Sequence, residues 1–249
     1  MALSFLSLGR LPEIGAGDDL AVSIAGAAPP DLADGDVIAV AHKVVSKAEG
    51  RTVRLAEVQP GGRARALAAQ HGKDPRVVEV VLSECAELVR AERGVLICRT
   101  RHGLVCANAG VDASNTAAAD ELVLLPLDPD ASARRLRAGV AAARGVAPAI
   151  LVTDSFGRAW RLGQTDVAIG AAGLVALDDW RGRHDARGAE LRATALAAAD
   201  AAAAAADLAR SKDSDEPAVL VRGLERLVTG EDGPGAAALR RPLEEDLFR

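Results

Sequence analysis

Apolar residues along this chain fall into short continuous runs separated by polar interruptions, and the length of each run sets the element it predicts. Residues 37–40 (VIAV) read as a buried strand entered from Asp34-Gly35, and Gly50 closes that unit. RTVRLAEV after it is a further strand-like piece. The fully apolar AILVT at 149–153 predicts a central strand ending at Asp154. GVLICRT from Gly94 and GLVCANAG from Gly103 predict the two arms of a hairpin. Residues 167–175 read as a strand whose glycines mark close backbone approaches, and AVLVRGL from Ala218 as a last strand.

Helical spacing appears elsewhere. The opening GRLPEIGAGDDLA reads as a short strand or loop, a turn and a helix. Residues 61–70 predict a helix, and 75–92 a second one with apolar positions at Val77, Val81, Leu82, Cys85 and Leu88. Residues 131–144 form a third after Pro129. Residues 191–208 are nearly all Ala, with strong helix propensity and a thin face suited to close packing, including packing between subunits. Residues 179–190 are a charged connection, SKDSDEP at 211–217 breaks the chain, and the tail reads as loose or as a crossing arm. The fold class is α+β with mixed or antiparallel sheets and packed helices. The regular alternation of a doubly wound sheet is absent.

Composition narrows the function classes. Of 249 residues, 49% are hydrophobic, enough for one large domain or two modest ones sharing a core. There is no Tyr and there are only three Phe and two Trp, so the core is aliphatic and base stacking on aromatic rings is not a plausible use of the surface. The net charge of -5, with both signs interspersed, gives no nucleic-acid footprint. Three cysteines without CxxC spacing argue against a disulfide framework or zinc knuckle and predict reduced, mostly buried thiols. No signal-like N-terminus or membrane-length apolar run is visible, which predicts a cytoplasmic protein.

Two polar interruptions carry the candidate chemistry: NAGVDASN at 108–115 and TDSFGRAWRLGQTD at 153–166. Asp154 at the end of a buried strand is placed to present a carboxylate to a crevice, with the Ser155 hydroxyl beside it. Asp112 is the natural second carboxylate. Two Asp and a hydroxyl suit Mg2+ or Mn2+ handled with phosphates, because such a cation keeps much of its shell for water and phosphate oxygens. Arg158 and Arg161 would reach phosphate oxygens, Gln164 and Asp166 would ligate or orient, and Asn115 would bond a ligand. Lys47 in HKVVSKAEG offers a point charge to phosphate. The plainer readings are a turn cap for Asp154, Asx-turns for the Asn-rich loop and a solvated Lys47. Walker, Rossmann, GxSxG and HExxH motifs are missing, and His42, His71, His102 and His184 are dispersed.

In order, GRLPEI, DGDVIAVAHKVVSKAEG, HGLVCANAGVDASN, LLPLDPDASA, VTDSFGRAWRLGQTDVAIG and VLVRGL resemble the coenzyme F420-0:L-glutamate ligase (gamma-glutamyl ligase) family over about residues 4–227. The resemblance implies an unusual α+β fold that forms an intertwined homodimer. It implies attachment of L-glutamate to the carboxylate of F420-0, with further γ-linked glutamates in some members, at the expense of GTP with Mg2+ or Mn2+, and K+ as an additional cation. By motif, Leu11, Pro12, Glu13, Ile14, His42, Lys43, Lys47 and Asn115 would contact the nucleotide. Asp112, Asp154 and Ser155, the last in place of a more usual Thr, would hold metal. The catalytic set is Asp112, Asp154, Arg158 and Arg161, and the metal ligand within 211–217 stays open among Asp213, Asp215 and Glu216. Residues 1–228 would form the catalytic region, with two interleaved subdomains, and 229–249 a tail or linker. Two-domain actinobacterial relatives continue into a nitroreductase-like flavin domain, and the sequence reads either as a standalone ligase or as the ligase part of such a protein. The same chemistry on a different acid, or a catalytically silent GTP- or F420-binding protein, are the rival readings; neither nucleic acid nor membrane is an expected partner.

Overall fold

A computed structural model describes residues 2–113, 120–211 and 213–246. The strands are β1 (Ser4–Ser7), β2 (Val37–Ala41), β3 (Thr52–Arg54), β4 (Cys85–Glu92), β5 (Val95–Thr100), β6 (Val105–Ala107), β7 (Glu121–Val123), β8 (Ala149–Arg158), β9 (Arg161–Ala172), β10 (Leu177–Asp179), β11 (Ala195–Ala197) and β12 (Ala218–Arg222). The helices are α1 (Leu20–Ala27), α2 (His42–Ala48), α3 (Gly62–His71), α4 (Pro75–Glu84), α5 (Pro129–Arg144) and α6 (Ala198–Asp207).

The main sheet runs β1-β12-β2-β8-β9; only β2 and β8 pair in parallel. Period-two alternation gives it two apolar faces. Ile38, Val40, Ile150, Val152 and Leu220 pack with Ile24, Val45, Leu136 and Val140 of the helices on one side. Val37, Ala39, Leu151, Val219 and Val221 meet Ala199, Ala202, Ala203 and Ala206 of α6 on the other. The small Ala face thus packs inside this chain, against its own sheet. Residues 52–123, inserted between β2 and β8, build a second cluster in which α3 and α4 cover β5, with β3 and β7 beside it.

Four predicted elements change, one of them the strand read over 167–175, which runs Arg161–Ala172 as the partner of β8. The helix expected over 75–92 stops at Glu84, and Cys85–Glu92 continues as β4 because β5 offers a full antiparallel ladder. Cys85 and Leu88 fitted helical spacing, yet pairing with β5 overrides that weak periodicity. The predicted 191–208 helix begins at Ala198; Ala195–Ala197 pairs with β10. The strand predicted to end at Asp154 runs on to Arg158, since β9 accompanies it to the turn. In the tail, Asp130 of α5 accepts the backbone N–H groups of Ala236 and Ala237, and Arg137 bonds Thr229 O and Asp232. Among the described residues no helix is long and apolar enough to cross a membrane.

Gly170 shows the close approach read from the sequence. A Cβ there would lie 2.2 Å from the carbonyl oxygen of Pro129, where α5 begins against β9. Gly170→Ala is therefore expected to lower stability by about 1–3 kcal/mol or more, as overpacking against rigid backbone does. Urea unfolding checks this, and an unchanged midpoint would refute the contact.

Candidate functional site

The site starts from the parallel pair. Ala41 of β2 stands level with Thr153 of β8, so the next residues lie side by side: His42 opens α2, while Asp154 continues in β8, paired with Val167. His42 Nε2 lies 3.3 Å from Asp154 Oδ1, which also accepts the Ser155 N–H at 2.8 Å. His42 is buried, and its Nδ1 is 3.4 Å from the Ser46 hydroxyl one turn along α2. β1 ends and β12 begins at this same end of the sheet, with Leu8 N–H donating to Ala218 O. The segments 10–14 and 211–217 therefore flank the strand ends.

Asp112 arrives by a different route. After β6 the backbone takes three successive left-handed residues, Asn108 (φ 51°), Ala109 (φ 54°) and Gly110 (φ 73°). Two non-glycine residues in that region cost roughly 1–3 kcal/mol each, a strain typical of sites the surroundings over-determine. Gly110 is required twice over, because a Cβ would also sit 2.7 Å from Leu125. The coil delivers Asp112 to a two-way backbone bridge with Val123, where Lys43 Nζ meets its Oδ2 at 2.8 Å.

The two polar interruptions therefore meet in one cleft of about 1060 Å³. Its walls include Leu11, Pro12, Glu13, Ile14, His42, Lys43, Lys47, Asp112, Asp154 and Ser155, all named from the sequence. Asn115 lies outside the described residues. Arg158 and Arg161 are not brought to the cleft. They face each other at the closed end of the β8–β9 hairpin, exposed, and Arg158 donates to Leu162 O. Four residues of strand separate Arg158 from Asp154, roughly 13 Å at the usual rise. In the 211–217 segment, Asp215 and Glu216 line the cleft and Asp213 does not; Glu216 accepts the Ser7 hydroxyl at 2.8 Å.

Two lining residues carry more structure than the sequence suggested. Asp166, 1% exposed, accepts Thr153 Oγ1 at 2.8 Å and Ser155 Oγ at 2.6 Å. Arg210, at the end of α6, bonds the same carboxylate, the Thr153 hydroxyl at 3.2 Å and Pro217 O at 3.0 Å. Nothing in the run AAAAAADLAR marked Arg210, whose role depends on where α6 ends in space.

The charge balance is informative. Arg10, Lys43, Lys47 and Arg210 face Glu13, Asp112, Asp154, Asp166, Asp215 and Glu216, an acidic excess among the described residues. The donors toward the cleft are mostly hard oxygens, which suit Mg2+ or Mn2+ and not a thiolate metal. Among the described residues no three His, Cys, Asp or Glu side chains converge on one point.

A family model described as F420-0:Gamma-glutamyl ligase matches residues 9–223, a span that contains every residue of the cleft. The chain belongs to the F420-0:gamma-glutamyl ligase family. Proteins named "Coenzyme F420:L-glutamate ligase" are similar to it over nearly their full lengths. That of Methanopyrus kandleri is 46% identical over 235 residues, 94% of this chain and 92% of the relative. That of Methanothermobacter thermautotrophicus is 41% identical over 254 residues, the whole of both chains. That of Haloarcula marismortui is 43% identical over 246 residues, 96% of this chain and 93% of the relative.

Within this ligase-family fold the cysteines are free, Cys98 and Cys106 are buried, and the two oppose each other across β5 and β6. Burial, and then the nearby Asp154 carboxylate, push the Cys106 thiol up to about 12. At pH 8 only about one thiol in ten thousand is then ionised, so alkylation of native Cys106 by iodoacetamide is expected to be slower by orders of magnitude than in the urea-unfolded chain. Peptide mass mapping after timed labelling measures it; equal native and unfolded rates would contradict the burial.

Proposed function

We propose that this chain ligates L-glutamate to the carboxylate of coenzyme F420-0, with GTP as the phosphoryl donor, in F420 biosynthesis. The observation that carries this is the single cleft in which both polar motifs meet: Asp112 from one, Asp154 and Ser155 from the other, facing Leu11–Ile14, Lys43 and Lys47. Family membership and the names of the relatives support the substrates. The cleft is at the upper end of ordinary ligand-pocket volumes, room for a nucleotide and a second substrate.

Its acidic excess means that a triphosphate is not neutralised by the lining Lys and Arg alone. Asp112, Asp154 and Ser155 fit a divalent cation, Mg2+ or Mn2+, which when bound supplies charge stabilisation to phosphoryl oxygens. The protein's own contribution is positional. His42 and the Ser155 N–H fix Asp154 through Oδ1, and Lys43 fixes Asp112. Lys47 pairs with the exposed Glu13 at 3.3 Å, a weak surface partner that a phosphate displaces at little cost.

In this reading the F420-0 carboxylate attacks the γ-phosphorus of GTP, GDP leaves, and an acyl phosphate forms. The glutamate amine attacks the acyl carbon and phosphate departs, leaving an amide. Positioning and charge stabilisation meet the catalytic demand, with no protein nucleophile.

The protein incubated with F420-0, L-glutamate, GTP and Mn2+ is expected to yield a product heavier by one or more glutamyl residues, together with GDP, and neither when GTP or the cation is omitted. Mass spectrometry reads both, and absence of product and of GDP would sink the proposal. Asp112→Ala and Asp154→Ala are expected to lower kcat by about 10²–10³-fold or more with an unchanged circular dichroism spectrum.

A homodimer belongs to the same reading. The hairpin tip carries Trp160 at 83% and Leu162 at 98% exposure, a large apolar display for one protomer. Sedimentation equilibrium is expected to give a dimer that Trp160→Asp with Leu162→Asp dissociates; a wild-type monomer would remove this part.

A further inference from the structure

The buried pair Asp166–Arg210 has no part in the chemistry described so far, yet it sits directly beneath it. Asp166 is 1% exposed and the Arg210 side chain 9%. Burying two charges is costly unless their hydrogen bonds are well made, and removing one partner strands the other. Here the bonds are specific. Ser155 and Asp166 are directly opposed across β8 and β9, so their side chains share one face of the sheet. Thr153, two residues back, shares it too.

The donor and acceptor inventory gives this pair a consequence. A hydroxyl has one proton to donate and two lone pairs that accept. Asp166, whose carboxylate also takes the Arg210 guanidinium, accepts from Ser155 at 2.6 Å and from Thr153 at 2.8 Å. With the Ser155 proton committed there, what its oxygen presents to any further partner is a lone pair. A hard cation needs that; a hydroxyl free to turn its proton outward would repel one. We propose that Asp166 is a positioning residue for the cation site: it takes the Ser155 hydroxyl proton so that Ser155 Oγ meets a divalent cation as an acceptor, while Arg210 holds Asp166 in place. Arg210 also donates to Pro217 O at 3.0 Å, so the 211–217 wall of the cleft is tied to the same guanidinium. The inference rests on the reading of this cleft as a metal–nucleotide site.

The test measures binding without turnover. Mn2+ is titrated into the protein with saturating GDP, without glutamate or acid substrate, and free Mn2+ is counted by electron paramagnetic resonance. Asp166→Asn is expected to weaken Mn2+ by about 10–100-fold, the usual cost of losing an outer-shell partner, and Ser155→Ala, which removes the ligand itself, by at least as much. Ser155→Thr retains the hydroxyl and is expected to retain the affinity. The double variant Ser155→Ala with Asp166→Asn is expected to be no weaker than Ser155→Ala alone, because Asp166 acts through that hydroxyl. Should Asp166→Asn fail to fold by stranding Arg210, the neutral pair Asp166→Asn with Arg210→Gln carries the same expectation. Wild-type affinity in the folded Asp166 variant, or losses that add in the double variant, would overturn the positioning role and leave the ligase reading intact. A wild-type protein that binds no Mn2+ with GDP would overturn both.

Discussion

The parallel register between β2 and β8 is the constraint on which the rest depends. It is the one parallel pairing in an otherwise antiparallel sheet, and it brings two chain segments more than a hundred residues apart side by side, with the end of β2 at Ala41 level with Thr153 of β8. Crevices beyond the carboxyl ends of such strands are common ligand sites because each strand hands its next residue to solvent there. In this chain β2 ends there, and the residues that follow the level pair are His42, which opens α2, and Asp154, still within β8. A slip of one residue would swap the two cores that the side chains of one strand enter, setting a bulky Ile38 or Ile150 against the small Ala face of α6, so the two cores lock the contact between His42 and Asp154.

From that contact the electrostatics follow. Nearly every carboxylate at the cleft floor is already spoken for: Asp154 by His42, Asp112 by Lys43, Asp166 by Arg210. Such pairing holds their geometry before any ligand arrives. In the proposed function, these fixed carboxylates would hold a divalent cation, which together with Lys43 and Lys47 would offset the charge of phosphates in a cleft with an acidic excess.

Much of this was legible in the sequence where local chemistry decides. VIAV and AILVT are buried strands because no other element absorbs a short, fully apolar run between turn residues. Asp112, Asp154 and Ser155 stood out as polar groups abutting such runs, and the ordered strings around them carried the family. Elements that depend on a partner were not legible. Cys85–Glu92 looks helical until β5 is beside it, and Ala195–Ala197 looks helical until β10 is. Arg158 and Arg161 sat near Asp154 in sequence, but a strand converts sequence distance into real distance where a loop would not. Arg210 was invisible because its meaning lies wholly in tertiary placement.

The hairpin register shows how far that placement reaches. Val152 pairs with Gly170 but Thr153 pairs with Ala168, so Ile169 is a bulged extra residue. Without the bulge, Ser155 would oppose Val167, and Asp166 would fall beside Phe156 on the other face of the sheet. The bulge is thus what places a carboxylate against the Ser155 hydroxyl. It is held from the α6 side, where Asp200 accepts the Ala168 N–H at 2.9 Å. Burial raises the Asp200 carboxyl above its ordinary range, while that hydrogen bond works in the opposite direction. An acidic residue in the first turn of a nearly pure Ala helix therefore has a use: it fixes the strand irregularity on which the Ser155–Asp166 contact depends, and the small Ala face lets the helix come close enough to do so.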